Sequence, residues 1–141
     1  MVSLVISRDQ RRFQEEMSDA ERSNSQLMRR MVNMFNTGDL PTVESLVSPD
    51  YIDHQGIGGS KMYGPKGFAD VVTQFRQARP RLRVTVETLT ANGDHVEAKL
   101  FWCEPGPIDT SDSRCAYEKR TIEIVRFANG QAVEHWGRQL D

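Results

Sequence analysis

Leu82-Arg83-Val84-Thr85-Val86-Glu87 decides the fold class, because here the spacing of apolar residues changes from a helical period to a period of two. Upstream, Leu27, Met28, Met31, Met34 and Phe35 recur at steps of three and four. This predicts a helix from Asp19 that closes at Asn36-Thr37-Gly38, with glycine on the C-cap side. Asp39 and Pro41 predict a short second helix burying Val43, Leu46 and Val47, stopped by Ser48-Pro49-Asp50. Tyr51 to His54 reads as a short strand and Gln55 to Gly64 as a glycine-rich loop. Pro65 then opens a third helix carrying Phe68, Val71, Val72 and Phe75.

Downstream of Leu82 the pattern is that of strands. Asn92-Gly93 signals a hairpin, after which Val96, Ala98, Leu100 and Trp102 alternate with Glu97, Lys99 and Phe101. A last hairpin runs from about Ala116 to Arg138 and turns at Ala128-Asn129-Gly130. Helices early and strands late predict an α+β domain, with three N-terminal helices packed on a curved antiparallel sheet and a cavity between the layers. Residues 1–18 lack a period and read as an N-terminal extension to a domain over 19–141. Residues 104–115 form a loop long enough to be a lid or a disordered insertion.

Composition narrows the function. A length of 141 residues fits one domain with a sizeable core. The net charge of −2 argues against a nucleic-acid partner, which calls for a basic excess. Two cysteines, Cys103 and Cys115, lack metal-ligand spacing and suggest a reduced, cytoplasmic protein. No stretch is long enough to span a membrane.

The chemistry centres on histidine. His95 follows a turn and reads as exposed, whereas His54 and His135 lie within predicted strands. If Ala128-Asn129-Gly130 is a three-residue loop, Glu123 pairs with His135. If Asn129-Gly130 is a two-residue turn, Glu123 pairs with Trp136. The first register puts carboxylate and imidazole on one face, either as an acid–base pair or as a surface charge pair. It turns Ile122 and Ile124 to the other face, which would suit a subunit contact. Tyr51, Tyr63, Trp102 and Trp136 are candidates to line an aromatic pocket. Gly56-Ile57-Gly58-Gly59 fails the dinucleotide fingerprint, no phosphate loop or nucleophile elbow occurs, and no metal or other cofactor is expected.

Four segments carry a family resemblance. They are Phe35-Asn36-Thr37-Gly38-Asp39-Leu40; Leu46-Val47-Ser48-Pro49-Asp50-Tyr51-Ile52-Asp53-His54; Gly64-Pro65-Lys66-Gly67-Phe68; and Phe127-Ala128-Asn129-Gly130-Gln131-Ala132-Val133-Glu134-His135-Trp136. From about Leu27 to Asp141 the chain resembles the SnoaL-like polyketide cyclase family, within the NTF2-like, ketosteroid-isomerase-like cone fold. The resemblance implies a pocket between helices and sheet, and a homodimer across the outer face of the sheet. It implies a pocket-facing His54. It also implies an acid–base aspartate two residues beyond the last-strand histidine, where this chain has Gly137, and a pocket histidine one strand earlier, where it has Glu123.

The family's cyclase constellation is therefore not carried over intact. The expectation is an enzyme of secondary metabolism acting on a polyketide-derived or polycyclic molecule by cofactor-free acid–base chemistry, as a cyclase or isomerase. His135, oriented by Glu123, would exchange protons, and His54, steadied by Asp53, would polarise a carbonyl or hydroxyl. The alternatives are a hydroxylase-like tailoring enzyme of aromatic polyketides and a non-catalytic binding or dimerisation module.

Overall fold

The structure is a computed structural model that describes residues 17–107 and 114–141. Most of the expected N-terminal extension and the centre of the expected 104–115 lid lie outside the described residues.

The first helix, α1 (Asp19–Thr37), begins where the sequence carries a reciprocal capping pair. Ser18 Oγ accepts from the Glu21 amide, and Glu21 accepts from the Ser18 amide. It ends at Gly38, whose φ of 70° is the left-handed conformation that lets its N–H reach the Met34 carbonyl. A four-residue helix, α2 (Val43–Leu46), follows. Thr42 rather than Asp39 stands at its N-cap, and no side chain caps it.

Strand β1 (Val47–Ile57) is far longer than the expected Tyr51–His54 segment, and the glycine-rich stretch is no loop. It turns at Gly58-Gly59 into β2 (Ser60–Tyr63), which pairs back on β1. Helix α3 (Gly64–Ala78) then buries Phe68, Val71 and Val72. Strands β3 (Arg83–Asn92), β4 (His95–Pro105), β5 (Cys115–Ala128) and β6 (Gln131–Leu140) complete one sheet in the order β2-β1-β6-β5-β4-β3. The four late strands are antiparallel, as the alternation predicts, but β6 inserts beside β1 in parallel, so the sheet is mixed.

The inner face carries Val84 on β3, Val96, Ala98, Leu100 and Trp102 on β4, and Val125 and Phe127 on β5, all buried under α1 and α3. Asn36 locks the exposed edge of this sheet to the helix layer. Its amide nitrogen donates to the Val84 carbonyl (2.9 Å) and its oxygen accepts from the Val84 amide (2.7 Å). Arg76 of α3 donates to the carbonyls of Phe35 and Asn36 at the end of α1, where orphan carbonyls would otherwise face the packed layer.

The expectation of two free thiols is corrected. Cys103 and Cys115 form a disulfide across the ends of β4 and β5, where Pro105 pairs with Cys115. A cytoplasmic location does not follow from the cysteines once they are joined, since disulfides are rare in reducing compartments. No helix among the described residues is long and apolar enough to cross a membrane.

The bridge closes a loop with a sequence separation of 12 residues. Reduction, or Cys115→Ser, therefore lowers unfolding free energy by about 3 kcal/mol on the chain-entropy account. Urea denaturation with and without dithiothreitol measures this; an unchanged midpoint would mean that the strand ends are held by other contacts.

Candidate active site

The last hairpin determines which side chains meet. Ala128 pairs with Gln131, so the turn has two residues, Asn129 and Gly130, with φ values of 53° and 77°. That turn alone would set Glu123 against Trp136. A bulge intervenes, because Phe127 pairs with Ala132 but Arg126 pairs with Glu134, leaving Val133 as an extra residue on β6. Glu123 thus lies directly opposite Gly137, and Val125 opposite His135. Neither expected register is the observed one. The preferred register differs from it by two residues, which preserves the face, so Glu123 and His135 still meet as diagonal neighbours.

The bulge also brings β6 into step with β1, where Asp53 is the direct neighbour of His135. The imidazole consequently bridges three strands. His135 Nδ1 lies 2.7 Å from Asp53 Oδ1, and Nε2 lies 3.2 Å from Glu123 Oε1. Asp53 Oδ1 also accepts the amides of Gln55 (3.0 Å) and Gly56 (2.9 Å). Those amides are aimed inward by a second bulge, between Asp53 and Ile57. There Gly56 has a φ of 56° and approaches the Ser60 carbonyl too closely to carry a side chain.

The crowding of ionisable groups in one buried place shifts His135, Asp53 and Tyr51. Burial opposes the charged form of His135, but the hydrogen bonds and charges of Asp53 and Glu123 outweigh it and raise its pKa from 6.5 to about 9. The ring is an imidazolium at neutral pH, donating through both nitrogens. Burial likewise pushes Asp53 up, but the bond and charge of His135 and the two amides bring it below its ordinary value. Tyr51 is raised well above the usual phenol, by burial first and then by the charges of Asp53 and Glu123, so it stays a neutral O–H donor.

These groups line a cavity between the helix layer and the sheet. Its walls are mainly apolar and come from α1 (Met31, Phe35), α3 (Phe68, Phe75) and the sheet (Leu100, Trp102). The second carboxylate oxygen of Glu123, Oε2, is buried and has no hydrogen-bond partner among the described residues. Such an atom is costly unless something visits it. Gly137 makes room for it, since a Cβ there would lie 2.6 Å from both Glu123 oxygens and would collide with Gln55. The volume of a side chain at 137 is thus taken by Glu123.

The sequence candidates divide by face. Asp53, Glu123 and His135 converge, and Tyr51 and Trp102 line the same cavity. Trp102 donates its indole N–H to Thr121 Oγ1 (2.8 Å). His54 does not face the pocket, because the residue after Asp53 on a strand points the other way. On the outer face its Nε2 lies 2.6 Å from Glu134 Oε2, and Glu134 Oε1 accepts from Arg126 Nε (3.2 Å). Trp136 is outside too, stacked between His54 (5.3 Å, 13°) and His95 (5.9 Å, 19°). Tyr63 stands at the N-cap of α3 and is 61% exposed. Asp53 holds His135, not His54. Gln55, Thr121 and Lys119 also line the cavity; Lys119 and Thr121 share the parity of Glu123 on β5, the one sequence signal that points to them. Among the described residues no group of three or more His, Cys, Asp or Glu side chains is disposed to hold a metal ion.

Comparison with known proteins places the fold and the family. The profile of the family described as SnoaL-like polyketide cyclase matches residues 25–139. Wild-type IdmH from Streptomyces antibioticus superposes with a TM-score of 0.67 at 23% identity, over 82% of this chain and 91% of its own. AclR from Streptomyces galilaeus gives 0.65 at 20% identity, over 84% and 79%. TsrD from Streptomyces laurentii gives 0.66 at 21%, over 88% and 91%. At these identities the likeness is one of fold. No curated protein matches the chain.

Because the folded pKa of His135 is raised, its contribution to stability is complete below about 6.5 and is lost as pH rises through about 9. The urea midpoint therefore falls between pH 7 and 10, and His135→Phe removes most of that dependence; a parallel decline in the variant would assign it elsewhere. In Gly137→Ala the Glu123 carboxylate is pushed aside, so the His135 ring titrates below about 9 by NMR while the fold persists. An unchanged titration would mean that Glu123 is not what holds the imidazolium.

Proposed function

The chain belongs to the SnoaL-like polyketide cyclase family, and from that premise we propose that it is an enzyme that moves a proton on a polyketide-derived or polycyclic small molecule, with Glu123 as the base. One observation carries this reading: Glu123 lines an apolar cavity while its buried Oε2 has no hydrogen-bond partner among the described residues.

A carboxylate oxygen in that position accepts a proton from a carbon or hydroxyl acidified by a neighbouring carbonyl. The His135 imidazolium holds Oε1 and thereby fixes the direction of Oε2. Asp53, whose Oδ1 already accepts three N–H groups, is a positioning residue for that ring. Both nitrogens of His135 are engaged, so the ring clamps the base rather than exchanging the proton itself. The neutral Tyr51 hydroxyl would donate to the oxyanion that forms as the proton leaves. Glu123, now a neutral acid, returns the proton at another atom of the product, and the balance closes without loss of charge. Cyclisation and isomerisation share this step. Hydroxylation, the suggested activity of AclR, would begin with the same carbanion. A second copy of the chain is proposed to cover the outer face, where Ile122, Ile124 and Phe101 are only half-buried.

The test is solvent-deuterium exchange, read by NMR, at the acidic carbons of a panel of anthrones and aryl β-diketones. Wild type exchanges a member of the panel, Glu123→Gln loses roughly 10²–10⁴-fold in rate, and His54→Ala stays within about twofold of wild type, since it lies on the far face. Full exchange in Glu123→Gln would remove the carboxylate from the mechanism. Oxygen uptake during turnover would move the reading to the hydroxylase type.

A further inference from the structure

The cavity has a second charged group, and it is not near the first. Lys119 sits on the inner face of β5, four residues from Glu123 and directly opposite Trp102 on β4. Four residues of strand separate two Cα atoms by about 13 Å. The Lys119 ammonium lies 4.8 Å from the Trp102 ring centre and 4.9 Å from that of Phe75, and the residue lines the cavity. No carboxylate among the described residues pairs with it. The nearby Glu104 is taken by Arg79 at 3.5 Å, and Glu118 alternates to the outer face of β5.

A lysine head is ordinarily in water or in an ion pair. Two aromatic faces hold this one half-buried at the rim, where an anion would meet a partly desolvated cation. The inner end is the electrical opposite. Asp53 and Glu123 against one imidazolium leave a net negative charge there, which repels an anion and receives a neutral acidic C–H or O–H. Between the two ends the walls are apolar. A cavity with that polarity orients an elongated molecule in one direction only.

We propose that Lys119 is a specificity-determining residue, selecting substrates that carry an anionic oxygen group, a carboxylate or an ionised phenol or enol, at the end remote from the proton that Glu123 removes. The inference rests on the reading of this cavity as the substrate site, and adds to it the substrate's charge and direction.

Two probes differing by one anionic group test it: 1-anilinonaphthalene-8-sulfonate and its uncharged parent N-phenyl-1-naphthylamine, titrated by fluorescence. Wild type binds the sulfonate more tightly than the parent. Lys119→Met weakens the sulfonate roughly tenfold to a hundredfold, the range for losing one charged contact, and leaves the parent unchanged. Lys119→Arg keeps the preference and guards against a folding defect. Lys99→Met, an equal change of charge on the exposed outer face, has no effect. Equal binding of both probes to wild type, a preference that survives Lys119→Met, or a loss reproduced by Lys99→Met overturns the assignment of Lys119 and leaves the Glu123 reading standing. Failure of both probes to bind wild type would instead count against the cavity as a small-molecule site, and both readings would fall together.

Discussion

One imidazole joins three strands. His135 on β6 takes Asp53 of β1 on one nitrogen and Glu123 of β5 on the other, so the strand that enters last is tied to both neighbours by charged hydrogen bonds on the inner face. Burying any of these groups alone would be unfavourable, because an isolated charge in a low-dielectric interior loses its hydration without return. Together they tolerate burial only if the register is right to the residue. The Val133 bulge supplies that register; without it His135 would face outward and the two carboxylates would repel each other across an empty place.

Much of the architecture was legible because it rests on periodicity. The 3.6-residue spacing of Met28, Met31 and Phe35 and the alternation through Val84, Val96 and Leu100 identify the two layers and the side of each that is buried. The second strand was missed because Gly56, Gly58 and Gly59 mark a tight turn and a bulge in the same way that they mark a loop. The parallel placement of β6 beside β1 could not be read either, since a strand's own sequence does not name its neighbour. The disulfide was missed for a similar reason: Cys103 and Cys115 are near in space only because β4 and β5 pair to their ends.

The site was legible in composition but not in sidedness. Face on a strand has period two, so one unrecognised bulge exchanges inside for outside. An even error in register kept Glu123 with His135. Asp53 and His54 are adjacent, and only one of them can point inward. The inward one is the carboxylate, because its neighbour on β6 is His135, whereas His54 has Glu134 and Trp136 beside it on the outer face. Aromatic residues divide by the same rule. Trp102 packs into the cavity wall and Trp136 lies in a stack of rings outside, although composition alone makes them equivalent.

The absence of a side chain at Gly137 is best understood from the space that Glu123 needs. A carboxylate reaching from β5 toward His135 passes over the residue opposite it, and any Cβ there would occupy the position of its oxygens. An acid at 137 and an acid at 123 therefore compete for one volume, and this chain has its acid on β5. Moving the carboxylate one strand over changes what constrains it. From β5 it can be held through Oε1 by an imidazolium that Asp53 has already fixed, while Oε2 is buried without a hydrogen-bond partner among the described residues. An oxygen in that state is kept directional by its twin and poorly solvated by its surroundings, the two properties that make a weak base effective against a weak carbon acid.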